Sequence, residues 1–217
     1  MREIICADAL EWLNRFHPTP DCSLIASMPD ISEFPGYTLE SWSQWFTDTA
    51  SLIIDRTPPQ GVSIFYQSDI KLEGRWVDKG YLCQKAAEKN NSHLLWHKII
   101  CRAPVGVATY GRPAYSHILC FSKELRLDPA KSLPDVLPDL GEKTWQRGMG
   151  FKASKMIAQF LQKETQTKKI INPFCGEGGL LAICEKEGFD VTGIERSPKR
   201  AQKAQTIQVN AEGNDWL

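Results

Sequence analysis

The chain has 217 residues, 42% of them hydrophobic and 24% charged, the proportions of an ordinary soluble globule with room for one substantial core. Lysine plus arginine equals aspartate plus glutamate at 26 each, so net charge points to no polyanionic partner, and a nucleic-acid role would need a local basic face. No apolar run of roughly 18 residues and no leader pattern appears, and 7 scattered cysteines and 4 histidines show neither a C-x-x-C pair nor metal spacing, which argues against a membrane span, secretion, a disulfide frame or a metal site and for a reduced, cytoplasmic protein.

Arg2 to Cys6 reads as a short strand, and Asp8 as the N-cap of a helix from Ala9 to Phe16. Asp21 to Met28 is a second apolar strand. It ends in Ser27-Met28-Pro29-Asp30, where Asp30 suits an Asx role in a strand-to-loop turn. Leu39 to Asp55 has the spacing of an amphipathic helix, with Trp42, Trp45 and Phe46 as core candidates, and Thr57-Pro58-Pro59-Gln60-Gly61 stops it. Val62 to Tyr66 is an apolar strand, and Gln67 to Lys71 follows at its C-terminal end, the edge where open α/β sheets bind ligands. Gly74 to Leu82 is expected to form the opening of the next helix, which runs to about Asn90.

His93 to Ile100 and Tyr115 to Lys123 read as strands flanking a loop, Cys101 to Ala114. Arg102, Tyr110 and Arg112 in that loop are the residue types that contact phosphate and stack on bases. Residues 124–150 show no periodicity and read as an irregular covering segment before a helix from Ala153 to Lys163. The most informative stretch then follows, from Ile170 to Lys199. Ile170-Ile171 starts a strand that runs into Pro173-Phe174-Cys175-Gly176-Glu177-Gly178-Gly179. A helix, Leu180 to Glu187, is closed by Gly188, and a further strand from Phe189 to Ile194 ends on the acid Glu195. This is one βαβ unit whose glycine turn lets a ligand approach the backbone, with a carboxylate about 20 residues on, placed to take ribose hydroxyls. Leu181 stands where a dinucleotide fingerprint needs a small residue, which counts against NAD or FAD.

Asn172-Pro173-Phe174-Cys175-Gly176-Glu177-Gly178 and Gly193-Ile194-Glu195-Arg196-Ser197-Pro198 resemble the cofactor motifs of S-adenosylmethionine (SAM)-dependent nucleic-acid methyltransferases. The nearest form is that of the adenine-N6 and cytosine-N4 amino-methyltransferases. Their glycine segment normally comes early, so its late position here implies the circularly permuted order. Other segments fit that order. Asp8 resembles the turn that touches the adenine, Asp21 to Asp30 resembles the catalytic strand and proline turn, and Trp96 to Lys123 resembles the late hairpin. The resemblance implies a Rossmann-like, doubly wound sheet of about seven strands with a late antiparallel hairpin, in one domain over 1–217. It further implies SAM held by Asp8, Phe174, Gly176, Gly178 and Glu195, with Ser27, Pro29 and Asp30 on the acceptor side.

Met28 and Asp30 stand where the family has a proline and a ring that stacks on the extruded base. Phe34 or Tyr37 is then the candidate ring, and Asp30 either a general base or a cap. Neutral charge and the lack of a sizeable recognition segment favour RNA, tRNA included, as the nucleic-acid substrate. The alternatives are a DNA amino-methyltransferase with an altered motif and a catalytically silent SAM-binding partner subunit.

Overall fold

The computed structural model describes residues 1–130, 133–210 and Trp216. Numbered in chain order, eight strands share one sheet. Its order is β1 (Arg2–Cys6), β10 (Asp190–Glu195), β9 (Lys169–Asn172), β2 (Cys22–Ala26), β3 (Ser63–Gln67), β7 (Tyr115–Ser122), β6 (His93–Cys101) and β8 (Val136–Leu137). The first five run parallel, and β7 and β6 form the expected antiparallel hairpin beyond β3. The eighth strand is a two-residue edge that pairs with β6 inside the covering segment.

The sheet is covered on both faces. Helices α4 (Phe151–Glu164), α5 (Gly179–Lys186) and α6 (Pro198–Thr206) pack on one, and α1 (Ala9–Arg15), α2 (Leu39–Asp55) and α3 (Lys79–Lys89) on the other. Strand side chains alternate between the two cores: in β3, Ile64 and Tyr66 join the first and Phe65 the second. Helix α2 shows why the pattern sufficed. Thr38 caps it by accepting from the Ser41 N–H, and Trp42, Phe46, Ala50 and Ile53 form one fully buried stripe.

The glycine βαβ unit is built as expected. After α5 the Phe189 N–H donates to the Cys184 carbonyl and the Gly188 N–H to that of Glu185, a Schellman closure that requires the positive φ of Gly188. One expectation is corrected next to β3. No helix starts at Gly74; residues 70–77 form a hairpin, β4 (Ile70–Leu72) with β5 (Arg75–Val77), turned by Glu73 and Gly74 at φ 50° and 72°. Asp78 then caps α3 by accepting from the Tyr81 N–H. Helix α6 was not anticipated, although Ser197 as cap and Pro198 in the first turn announce it.

From β9 the chain moves to β10 on one side, and from β2 to β3 on the other. The order of the sheet therefore reverses between β9 and β2, and a crevice opens at their C-terminal ends.

Candidate active site

A cavity of about 440 Å³ occupies that crevice. Phe174 and Gly176 after β9 and Glu195 at the end of β10 line one side; Ser27, Pro29 and Asp30 after β2 line the other. The start of α1 at Asp8 and the covering segment at Trp145 complete the wall. Two stretches far apart in the sequence thus meet because the parallel pairing of β2 with β9 brings their ends together.

On the glycine side, Gly176 has φ +56°, and a Cβ there would lie 3.1 Å from the Trp145 ring. Glu195 is buried, and its Oε1 accepts from the Ser197 N–H at 2.7 Å and from Arg200 Nε and Nη2 at 3.0 and 2.8 Å. Its Oε2 has no partner among the described residues. Arg200 in turn lies 5.4 Å from the Trp145 ring, so acid, arginine and indole form one connected wall. Asp8 accepts from the N–H groups of Leu10 and Glu11 at 2.9 and 3.1 Å, so the capping role holds while the residue also borders the cavity.

Gly178, next in the turn, stands behind the residues that line the cavity; a Cβ on it would lie 2.8 Å from Ala204 of α6, and its φ is +79°. The second glycine of the turn is there so that α6 can pack, because neither the backbone conformation nor the space admits a side chain.

On the acceptor side, Ser27 is partly exposed to the cavity and its hydroxyl has no hydrogen-bond partner among the described residues. Asp30 is buried and fully engaged. Its Oδ2 accepts from Lys79 Nζ at 3.0 Å and Arg112 Nη2 at 2.7 Å, and its Oδ1 from the Ser32 N–H at 3.3 Å. Burial pushes the Asp30 carboxyl up, but the Lys79 ammonium and the Arg112 guanidinium outweigh it and hold it below the usual carboxylate range. A carboxylate so held is a poor proton acceptor. In the structure Asp30 anchors two ion pairs and caps the short 3₁₀ turn Ile31–Glu33.

Lys79 was not singled out by the sequence, since it lies 49 residues from Asp30 and looks like any helix-start lysine. It is held from below by Asp69, which accepts from the Lys79 N–H at 2.9 Å, from Trp76 Nε1 at 3.0 Å and from His117 Nε2 at 2.9 Å. Of the two candidate rings, Phe34 lines the cavity and packs 4.4 Å from Trp45, while Tyr37 stands behind it, 45% exposed.

The hairpin loop is split between two places. Arg102 and Arg112 border both the cavity and a more open groove beside it, whereas Tyr110, 94% exposed, reaches only the groove. Lys71 joins them there, its Nζ donating to the Thr109 carbonyl at 3.1 Å. A local basic face exists despite zero net charge.

A glycine turn, an acid-tipped neighbouring strand and a proline turn thus meet at one switch point of a doubly wound, Rossmann-like sheet. Solved structures match it along nearly the whole chain. A protein of Thermus thermophilus described as a DNA modification methylase, solved with S-adenosyl-L-methionine, is similar at a TM-score of 0.69 and 18% identity, over 94% of this chain and 92% of its own. The cytosine-N4-specific PvuII DNA methyltransferase is similar at 0.70 and 12% identity, over 94% and 85%. M1.HpyAVI in complex with SAM is similar at 0.63 and 16% identity, over 94% and 98%. No family model and no curated protein matches the sequence. At these identities the likeness is one of fold.

Proposed function

We propose that this chain is a SAM-dependent methyltransferase, a single domain acting on an exocyclic amino group of a base in DNA. The observation that carries the reading is that the glycine turn with its acid and the Ser27–Asp30 turn line one cavity. The residues present suit the cofactor. Phe174 offers an apolar wall, Glu195 an unpartnered carboxylate oxygen for ribose hydroxyls, and Gly176 a backbone without a Cβ. When bound, SAM would supply an electrophilic methyl group to the amino nitrogen, with the C–S bond broken and S-adenosylhomocysteine and a proton, released to water, as products. The chain's own part is positioning: the Ser27 hydroxyl oxygen accepts a hydrogen bond from the amino group, and Phe34 offers a face to the base.

DNA replaces RNA as the favoured substrate. The expectation of RNA rested on neutral charge and the lack of a sizeable recognition segment, but Lys71 and Arg112 beside one groove supply a basic footprint, and the similar structures are described as DNA methylases. The seven cysteines are all free, which fits a reducing compartment such as the cytoplasm. Among the described residues no helix is long and apolar enough to cross a membrane. One observation favours a second reading, a SAM-binding subunit without activity: Asp30 and its ion pairs fill the place of the stacking ring.

The test is incubation with methyl-labelled SAM and either DNA or RNA, followed by mass spectrometry of the nucleosides. Label on a DNA base amino group is expected. Label in RNA alone would refute the choice of DNA, and SAM binding without transfer would leave the silent subunit standing.

A further inference from the structure

Two cavity-lining residues, Gln67 and Arg102, carry donors that the methyl transfer leaves unused. Seven buried side-chain polar atoms among the described residues lack a hydrogen-bond partner, and two of them, Gln67 Nε2 and Arg102 Nη1, belong to residues that line the cavity. Gln67 is only 2% exposed, and its carboxamide bonds to nothing among the described residues. It sits at the C-terminal end of β3, two residues past the Phe65–Ala26 pair that aligns β3 with β2, and so beside the Ser27–Asp30 turn. Its neighbours are satisfied: Ser68 bonds to Ser116 at 2.6 Å, and Asp69 accepts three hydrogen bonds. Leaving a buried amide unpaired is costly, and an unfilled donor on a side chain that lines a cavity is explained by a ligand that the side chain turns to meet.

Building on the methyltransferase reading, we propose that Gln67 and Arg102 read the target base, and that together they select cytosine over adenine. A carboxamide offers one acceptor and one donor, the complement of an amino group beside a ring nitrogen, which both bases present. The Arg102 guanidinium adds a further donor. Cytosine carries a carbonyl oxygen next to that ring nitrogen, whereas adenine carries a C–H there. Adenine would leave a half-buried guanidinium unpaired, and a site built to bond a polar group rejects the analogue that lacks it.

The test compares the wild type with Gln67→Leu, Gln67→Met and Arg102→Met, using DNA and methyl-labelled SAM. The wild type is expected to yield N4-methylcytosine. Either Gln67 variant should lower kcat/KM on cytosine at least tenfold, keep SAM affinity within twofold by calorimetry, and unfold at no lower denaturant concentration, since an unpartnered amide has been replaced by an apolar group. Arg102→Met should lower the cytosine-to-adenine preference at least tenfold without changing the salt dependence of binding. N6-methyladenine as the wild-type product, or full rate in both Gln67 variants, would overturn the inference and leave the methyltransferase reading intact. A fall of about 0.9 in the salt slope for Arg102→Met would make that residue a phosphate contact instead and remove it from base selection. Absence of SAM binding, or binding without transfer to any base, would overturn both.

Discussion

Replacing Asp30 by Asn tests whether that residue anchors ion pairs or moves protons. Lys79 Nζ lies 3.0 Å from the Asp30 carboxylate, and the two side chains are 3% and 9% exposed. Removing one charge of such a pair strands the other, at about 3–5 kcal/mol. Arg112 adds less than about 1 kcal/mol, because its side chain is 38% exposed and water takes over part of its solvation. The Ser32 cap survives, since Asn keeps an acceptor at the position of Oδ1. Urea unfolding at pH 7 should therefore show a loss of about 3–5 kcal/mol for Asp30→Asn, most of it recovered in the double variant Asp30→Asn, Lys79→Met. The pH dependence has a definite sign. The folded-state pKa of Asp30 is lowered, so its contribution is present above the unfolded value of about 3.9 and is lost as pH falls through the lower folded value. The gap between wild type and Asp30→Asn should close in that acid window and nowhere above it. A loss under about 1 kcal/mol at pH 7, or a double variant no more stable than the single one, would refute the ion-pair argument.

Glu195→Gln should weaken SAM binding by about 1.5–3 kcal/mol in calorimetry, the worth of hydrogen bonds to a charged group, and unchanged affinity would take Glu195 out of the site. Gly178→Ala meets both a positive φ, worth about 1–2 kcal/mol, and Ala204 at 2.8 Å, so it should cost at least about 2 kcal/mol of stability. Gly106→Ala is the control: its φ is +87° but nothing lies within 4 Å of the added Cβ, and equal losses would refute the packing role of Gly178. Tyr110→Ala should weaken binding of single-stranded DNA by about 1–3 kcal/mol while leaving the thermal midpoint unchanged, because the ring is 94% exposed.

The elements that the sequence announced are those whose signals are local. Helix α2 carries its own cap and buried stripe, α5 its own C-terminal glycine, and the parallel strands their apolar runs. The strand order followed from resemblance, since nothing in the spacing of residues says which strands pair. What was hidden is what the fold assembles at long range. Asp30 meets Lys79 and Arg112 across 49 and 82 positions, and a carboxylate at a turn looks the same whether or not cations will surround it. The packing of Gly178 against Ala204 was hidden too, because Ala204 sits on a polar helix with two small buried residues. The hairpin β4–β5 was missed because a charged Glu73 holds the first position of its turn, where Asn or Asp would have been the signal.

The pairing of β1 with β10 has a consequence for how the molecule is made. Arg2 pairs with Val191, and its guanidinium donates to Glu185 Oε2 and to the carbonyls of Ala204 and Ile207. Strand β1 is made long before β10, its one neighbour in the sheet among the described residues, so at about 5–20 residues per second it waits roughly 10–40 s for that partner. Strands β2, β3, β7 and β6 form a contiguous half-sheet that needs nothing beyond residue 122. The acceptor turn after β2 therefore sits on a platform that can form well before the glycine turn exists. The proposed cofactor half arrives last, and it docks between two strands, β1 and β2, that were made first and left apart. A nascent chain short of residue 195 would expose both of those edges, which makes the late stage of synthesis the moment when this protein is most open to mispairing.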